Sequence, residues 1–164
     1  MRSRHVVTTL LLLVLLFLFA TGCTMRVRQP NDAERETLQT MVLSLTRDVL
    51  DAAETVNVEA AFRYHSNMPD AVFLIDGKRY TRGELLEVYR GIYAGVEHQE
   101  IEFGEPTVSV VSEQLVIVSS TGRFVTKMKS GGSFARDAAW TYVWVHEGES
   151  WNIRHAHQSF PREE

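Results

Sequence analysis

From Glu97 onward the apolar residues fall on alternate positions, and they keep that period through runs at 100–111, 115–127, 134–146 and 151–160. A period of two puts successive side chains on opposite faces of a strand, so each run has one face to bury. The runs are separated by Ser112-Glu113-Gln114, by 129–133 with its Gly131-Gly132 pair, and by 147–150, all of hairpin length. The end of the chain is therefore expected to be a four-stranded antiparallel meander. Upstream the period is helical. Asn31 and Glu34 form an N-capping pattern ahead of Leu38, Met41, Val42, Leu45 and Val49, which predicts a helix over 32–53. Val58, Ala61 and Phe62 predict a short second helix after Asn57, ending around 64–67. A strand at 71–75 meets the turn signal Asp76-Gly77 and continues into 78–80. Thr81 and Glu84 then repeat the capping box, and Leu85, Val88, Tyr89 and Ile92 give a stripe over 82–94 that Gly95 can stop. Helices first and strands last indicate an α+β domain over 32–160, with three helices packed on one face of a curved, mainly antiparallel sheet.

The amino terminus has a different character. Arg2, Arg4 and His5 precede an apolar run over 6–20, which is short for a membrane span of roughly 20 residues and suits the core of a signal peptide. The run closes on Ala20-Thr21-Gly22-Cys23, which resembles a bacterial lipobox, with Ala20 where leucine is usual. That resemblance implies a signal peptide over 1–22, a lipidated Cys23 as the first mature residue and a tether over 23–31. It also implies residence in a bacterial cell envelope, on the outer side of the cytoplasmic membrane or, with Thr24 after the cysteine, in the outer membrane. Cys23 is the one cysteine of the chain, so an intrachain disulfide is excluded. The net charge of −4, with no cluster of Lys and Arg, argues against nucleic acid as a partner.

The richest stretch chemically is the last run, Trp151-Asn152-Ile153-Arg154-His155-Ala156-His157-Gln158-Ser159, which reads W-x-I-x-H-x-H-x-S. Its upstream neighbour carries Trp140, Tyr142, Trp144 and His146 at the same spacing. If Glu147 to Ser150 are the whole loop, His146 faces Trp151, Trp144 faces Ile153, Tyr142 faces His155 and Trp140 faces His157. One face then carries Trp140, Tyr142, Trp144, His155 and His157 as a candidate ligand-binding wall, with the rings giving contact area and the polar tips giving orientation. Tyr142 and His155 are the candidate donor and base should the wall be catalytic. Tyr64, His65 and Asp70 lie near the end of the second helix, within possible reach of the pocket. A metal site is not expected, because His146 falls at the far end of the hairpin from His155 and His157 and no carboxylate lies among them. No G-x-S-x-G, P-loop or Gly-rich dinucleotide fingerprint is present, and no cofactor is expected.

The order helix, helix, hairpin, helix, meander, with Asp76-Gly77 before the third helix and the closing W-x-I-x-H-x-H-x-S strand, resembles the nuclear transport factor 2-like superfamily, and within it the SnoaL-like branch. The closing strand is also similar to that of the association domain of calcium/calmodulin-dependent protein kinase, where an arginine that helps bind carboxylates stands at the position held here by Gln158. The resemblance implies a cone-shaped fold around one pocket and a homodimer formed through the exposed sheet face. For function it implies a small apolar or aromatic ligand held in the cone, with an isomerase- or dehydratase-type enzyme and a ligand-free interaction module of the envelope as alternatives.

Overall fold

The computed structural model describes residues 28–161, so the expected signal peptide, the expected lipidation site Cys23 and most of the expected tether lie outside the described residues. Helix α1 spans Asp32–Glu54 and opens on a complete capping box, in which Asn31 Oδ1 accepts the Glu34 N–H at 3.0 Å and the Glu34 carboxylate accepts the Asn31 N–H at 2.9 Å. Val42, Thr46, Val49, Leu50 and Ala53 lie on its buried face, at the i, i+4, i+7 spacing that makes one stripe of a helix. Helix α2 is a single turn, Val58–Ala61, shorter than the sequence suggests. The chain then continues through turns to His65, whose backbone bridges Ile153. Helix α3, Arg82–Ala94, has the expected bounds and a second capping box from Thr81 and Glu84. No helix among the described residues is long and apolar enough to cross a membrane.

The strands are β1 (Val72–Ile75), β2 (Lys78–Tyr80), β3 (Val96–Phe103), β4 (Thr107–Ser112), β5 (Leu115–Met128), β6 (Ser133–Glu147) and β7 (Ser150–Ser159). They form one curved sheet in the order β2-β1-β7-β6-β5-β3, with β4 also on β5. Two features differ from the expected meander. The run over 100–111 breaks at Gly104-Glu105-Pro106, and its halves pair with different parts of the long strand β5, β4 beside Leu115 to Ser119 and β3 beside Gly122 to Met128. Pro106 has no N–H to give a ladder, and a Cβ on Gly104 would lie 2.6 Å from the Thr121 carbonyl oxygen, so the segment cannot continue as a straight strand. Strand β1 runs parallel to β7, with Val72 beside His155 and Leu74 beside His157, which makes the sheet mixed.

The three helices cover the concave face, and the core is continuous from α1 across to β7. At one point the sheet is thinned to admit an aromatic ring. A Cβ on Gly122 would fall 2.3 Å from the Glu102 carbonyl oxygen and 2.7 Å from the Trp140 ring, so only glycine lets that indole lie against β5.

Candidate functional site

The hairpin of β6 and β7 begins as the sequence predicts, with His146 beside Trp151 and Trp144 beside Ile153. The next pair is Val143 with His155, so Arg154 is an extra residue on β7, a β-bulge. One inserted residue reverses the facing of everything beyond it. Tyr142 is therefore beside Ala156 and Trp140 beside Gln158, and the expected pairs Tyr142 with His155 and Trp140 with His157 are corrected. Ala156 and Gln158 face the concave side, while His155 and His157 share the opposite face with Val143 and Thr141. His157 is exposed and His155 half-buried, and neither lines the interior. Desolvation first, and the neighbouring His157 second, lower the His155 pKa.

The bulge has a visible anchor. Arg154 Nε donates to Glu147 Oε1 at 2.5 Å and its Nη1 donates to Asp70 Oδ1 at 2.5 Å. Ser66 Oγ donates to the other Glu147 oxygen at 3.1 Å. The backbone of Ile153 meanwhile bonds both Tyr64 and Ser66, which holds the first part of β7 against the segment after α2. Asp70 is thus a partner of Arg154, and Tyr64 donates its hydroxyl to Asp48 at 2.9 Å.

The three residues of β6 have separate fates. Trp144 is fully buried in the main core, with Tyr64 edge-on at 5.6 Å. Trp140 is buried in a second cluster, stacked on Phe103 at 5.6 Å and met by Phe124 at 5.9 Å. Both indole N–H groups are buried without a hydrogen-bond partner. Tyr142 alone of the expected wall lines the cavity. His146 lies against the Trp151 ring at 5.3 Å, and no three His, Cys, Asp or Glu side chains among the described residues come together as a metal site.

The cavity is a cone of two parts. An inner chamber of about 60 Å³ is bordered by α1 (Val49, Leu50, Ala53), by Phe62 and His65 after α2, by Leu85, Tyr89 and Tyr93 of α3, and by Phe124, Tyr142, Ala156 and Gln158 of the sheet. A wider mouth of about 230 Å³ shares Ile75, Leu85, Tyr89, Tyr93, Phe124 and Gln158 with it and opens past Asp76, Phe134, Arg136 and Phe160. No Asp, Glu, Lys or Arg borders the inner chamber; its polar groups are three phenols, one imidazole and one amide.

Those groups are held in their neutral forms. His65 is buried, stacked on Phe62 at 4.5 Å and edge-on to Tyr142 at 6.4 Å. Burial, helped by the positive charge of Arg82, lowers its pKa from 6.5 to about 3. Its Nδ1 has no partner, nor does the buried Nε of Arg82, whose Nη2 donates to the Phe62 carbonyl at 3.1 Å. Burial pushes Tyr89 and Tyr142 well above the ordinary phenol range and Tyr93 up to about 12. The Tyr89 hydroxyl donates to Gln158 Oε1 at 2.9 Å, so the position that resembled a carboxylate-binding arginine is an amide engaged with helix α3. Tyr89 and Tyr93 are one turn apart on the apolar stripe of α3, and two phenols on a core-facing stripe are the sequence signal for a polar-tipped chamber.

A family model for the SnoaL-like domain matches residues 42–163. No curated protein matches the chain. Among solved structures, a nuclear transport factor 2-like protein from Salmonella enterica aligns with a TM-score of 0.70 at 13% identity, over 79% of this chain and 94% of its own. A type 2 hexachlorocyclohexane dehydrochlorinase aligns with a TM-score of 0.68 at 13% identity, over 80% and 90%. A Xanthomonas campestris protein assigned as a calcium/calmodulin-dependent protein kinase II association domain gives 0.64 at 18% identity, over 75% and 87%. At these identities the likeness is one of fold, and the fold is the nuclear transport factor 2-like arrangement of helices on a curved mixed sheet.

Proposed function

Because the chain belongs to the family of SnoaL-like domains, we propose that its cone holds a small, uncharged, largely apolar or aromatic ligand. We further propose that a lipid on Cys23 tethers the domain on the outer side of a bacterial membrane. The observation that carries the ligand reading is the composition of the inner chamber: apolar walls and neutral hydrogen-bonding tips, with no charged side chain on its border. A charged group brought into such a chamber would lose its water and meet no counter-ion, whereas an aromatic ring with one hydroxyl or carbonyl would find ring contacts and a phenol or imidazole partner.

A second reading, an isomerase- or dehydratase-type enzyme, is favoured by one observation: His65 lies buried beside Tyr142 with Nδ1 free of any partner. A proton-transfer role would fall to His65, since His155 faces the other way. Burial, with the charge of Arg82 beside it, makes His65 a weak base, and no carboxylate offsets them, which favours binding over turnover. The exposed face that bears Val143, His155 and His157 is the surface through which we propose that two copies pair.

The test is calorimetric titration of the full chain with 2-naphthol and with 2-naphthoate. Saturable binding of the neutral compound, at least tenfold tighter than the anion and weakened in Tyr142→Phe, is expected. Equal affinity for both, or tighter binding of the anion, would overturn the ligand reading.

A further inference from the structure

We infer that the rim of the cone is a docking collar that seats on an anionic lipid bilayer. Among the described residues, the large apolar side chains left most exposed are Met68, Val88, Ile92, Val111 and Phe134. Three of them, Val88 at 39%, Ile92 at 52% and Phe134 at 47%, border the mouth of the cavity. Isolated exposed apolar residues are ordinary on a protein surface; a group of them around one aperture marks a contact site. Val88 and Ile92 stand one turn apart on α3 and Phe134 lies at the start of β6, so the collar draws on both a helix and the sheet.

Cations at this rim outnumber free carboxylates. Arg136 lines the mouth with its guanidinium 4.7 Å above the Phe160 ring. Lys78 and Arg79 are exposed on the β1–β2 hairpin between the mouth residues Asp76 and Tyr80, Lys78 on the face it shares with Ile75 and Tyr80 and Arg79 on the other. Lys129, next to Met128, donates to the carbonyl of Ala94 at the end of α3 at 2.9 Å. None of these four cations forms an ion pair with a carboxylate among the described residues. Arg90, between Val88 and Ile92 in the sequence, is by contrast taken up by Glu59 and Glu87. Asp76 is the one carboxylate bordering the mouth, and its Oδ1 accepts the Phe160 N–H at 2.9 Å.

A chain with a net charge of −4 thus concentrates unpaired cations where it also exposes apolar side chains. That combination fits the boundary between headgroups and acyl chains, where apolar residues insert and cations meet lipid phosphates. A second copy of the chain is a poorer occupant, because it would bring the same unpaired rim cations face to face. Seated this way, the cone opens into lipid, and an apolar ligand enters without crossing water.

The experiment uses the full chain reconstituted into vesicles, with tryptophan placed at the rim (Phe134→Trp) or at the exposed apolar position remote from it (Val111→Trp). The signal of the three native tryptophans is subtracted with the unsubstituted chain. In vesicles of brominated phosphatidylglycerol, F134W is expected to be quenched and V111W not. In brominated phosphatidylcholine, the F134W quenching is expected to fall. Removing a rim charge, as R136Q or K129Q on the F134W background, is expected to lower the ratio of docked to undocked protein roughly fivefold per cation. Equal quenching of F134W and V111W, or quenching of F134W indifferent to lipid charge, overturns the inference. So does a concentration-dependent change at F134W without lipid and none with it, which would assign the collar to a second copy.

Discussion

Replacing His65 by phenylalanine should remove a defined part of the acid sensitivity of this fold. The folded chain keeps the imidazole neutral, with a pKa lowered from 6.5 to about 3, because the ring is buried and Arg82 is close. The unfolded chain takes up a proton below about pH 6.5, whereas the folded chain does not until about pH 3. The unfolded state therefore binds more protons across that window, and stability present above pH 6.5 is lost as the pH falls toward 3. At pH 5 the loss from this one group is about 2 kcal/mol, from one and a half pH units at about 1.4 kcal/mol each. His65→Phe keeps a ring stacked on Phe62 and has no proton to bind. Urea unfolding of both proteins, followed by circular dichroism at pH 8 and pH 5, gives the difference directly. Carboxylates that titrate in the same range contribute equally to both chains and cancel. The native chain should lose about 2 kcal/mol more than His65→Phe between the two pH values. Parallel pH profiles would refute the claim that His65 is held neutral.

Other consequences can be checked alongside. In a double-mutant cycle with Arg154→Met and Glu147→Gln, a coupling of about 1 kcal/mol is expected from chemical unfolding, since each partner loses a charge-assisted hydrogen bond at the bulge; a coupling near zero would mean that the Arg154–Glu147 pair does not hold the bulge. Cys23→Ser should abolish incorporation of labelled fatty acid and leave a larger precursor on a gel, and continued labelling at normal size would remove the lipid anchor. Light scattering on detergent-solubilised protein should give the mass of two chains, reduced toward one chain by Val143→Glu on the exposed sheet face; a monomer at every concentration would refute pairing.

Much of this fold was legible because its signals are local. Each of the two long helices announces itself by a capping box, Asn31 with Glu34 and Thr81 with Glu84, and by an apolar stripe. The positive-φ pair Asp76 and Gly77 marks the β1–β2 turn. The pairing of distant segments carries no such mark, so the parallel union of β1 with β7 and the sharing of β5 by β3 and β4 emerge only in three dimensions. The pairing expected for the last hairpin departs from the observed one at a single residue, while Trp140 and Trp144 are taken up by the core. Counting register from the 147–150 loop assumes an unbroken ladder, and the extra Arg154 reverses parity, which moves His155 and His157 from beside Tyr142 to the far face. Arg154 is held by Glu147 across the hairpin and by Asp70, and Asp70 is not near it until the chain is folded. His65 and the phenols of α3 share the chamber with Tyr142 because α3 and the segment after α2 are laid over the sheet, a tertiary fact that no spacing encodes.

The most direct measurement is nuclear magnetic resonance of the histidine and tyrosine side chains during titration with 2-naphthol. The imidazole of His65 and the rings of Tyr89 and Tyr142 should shift together and saturate, while His155 and His157 stay where they are. Saturable shifts at His155 and His157 with His65 and Tyr142 unmoved would place the ligand on the opposite face of the sheet and contradict the pocket.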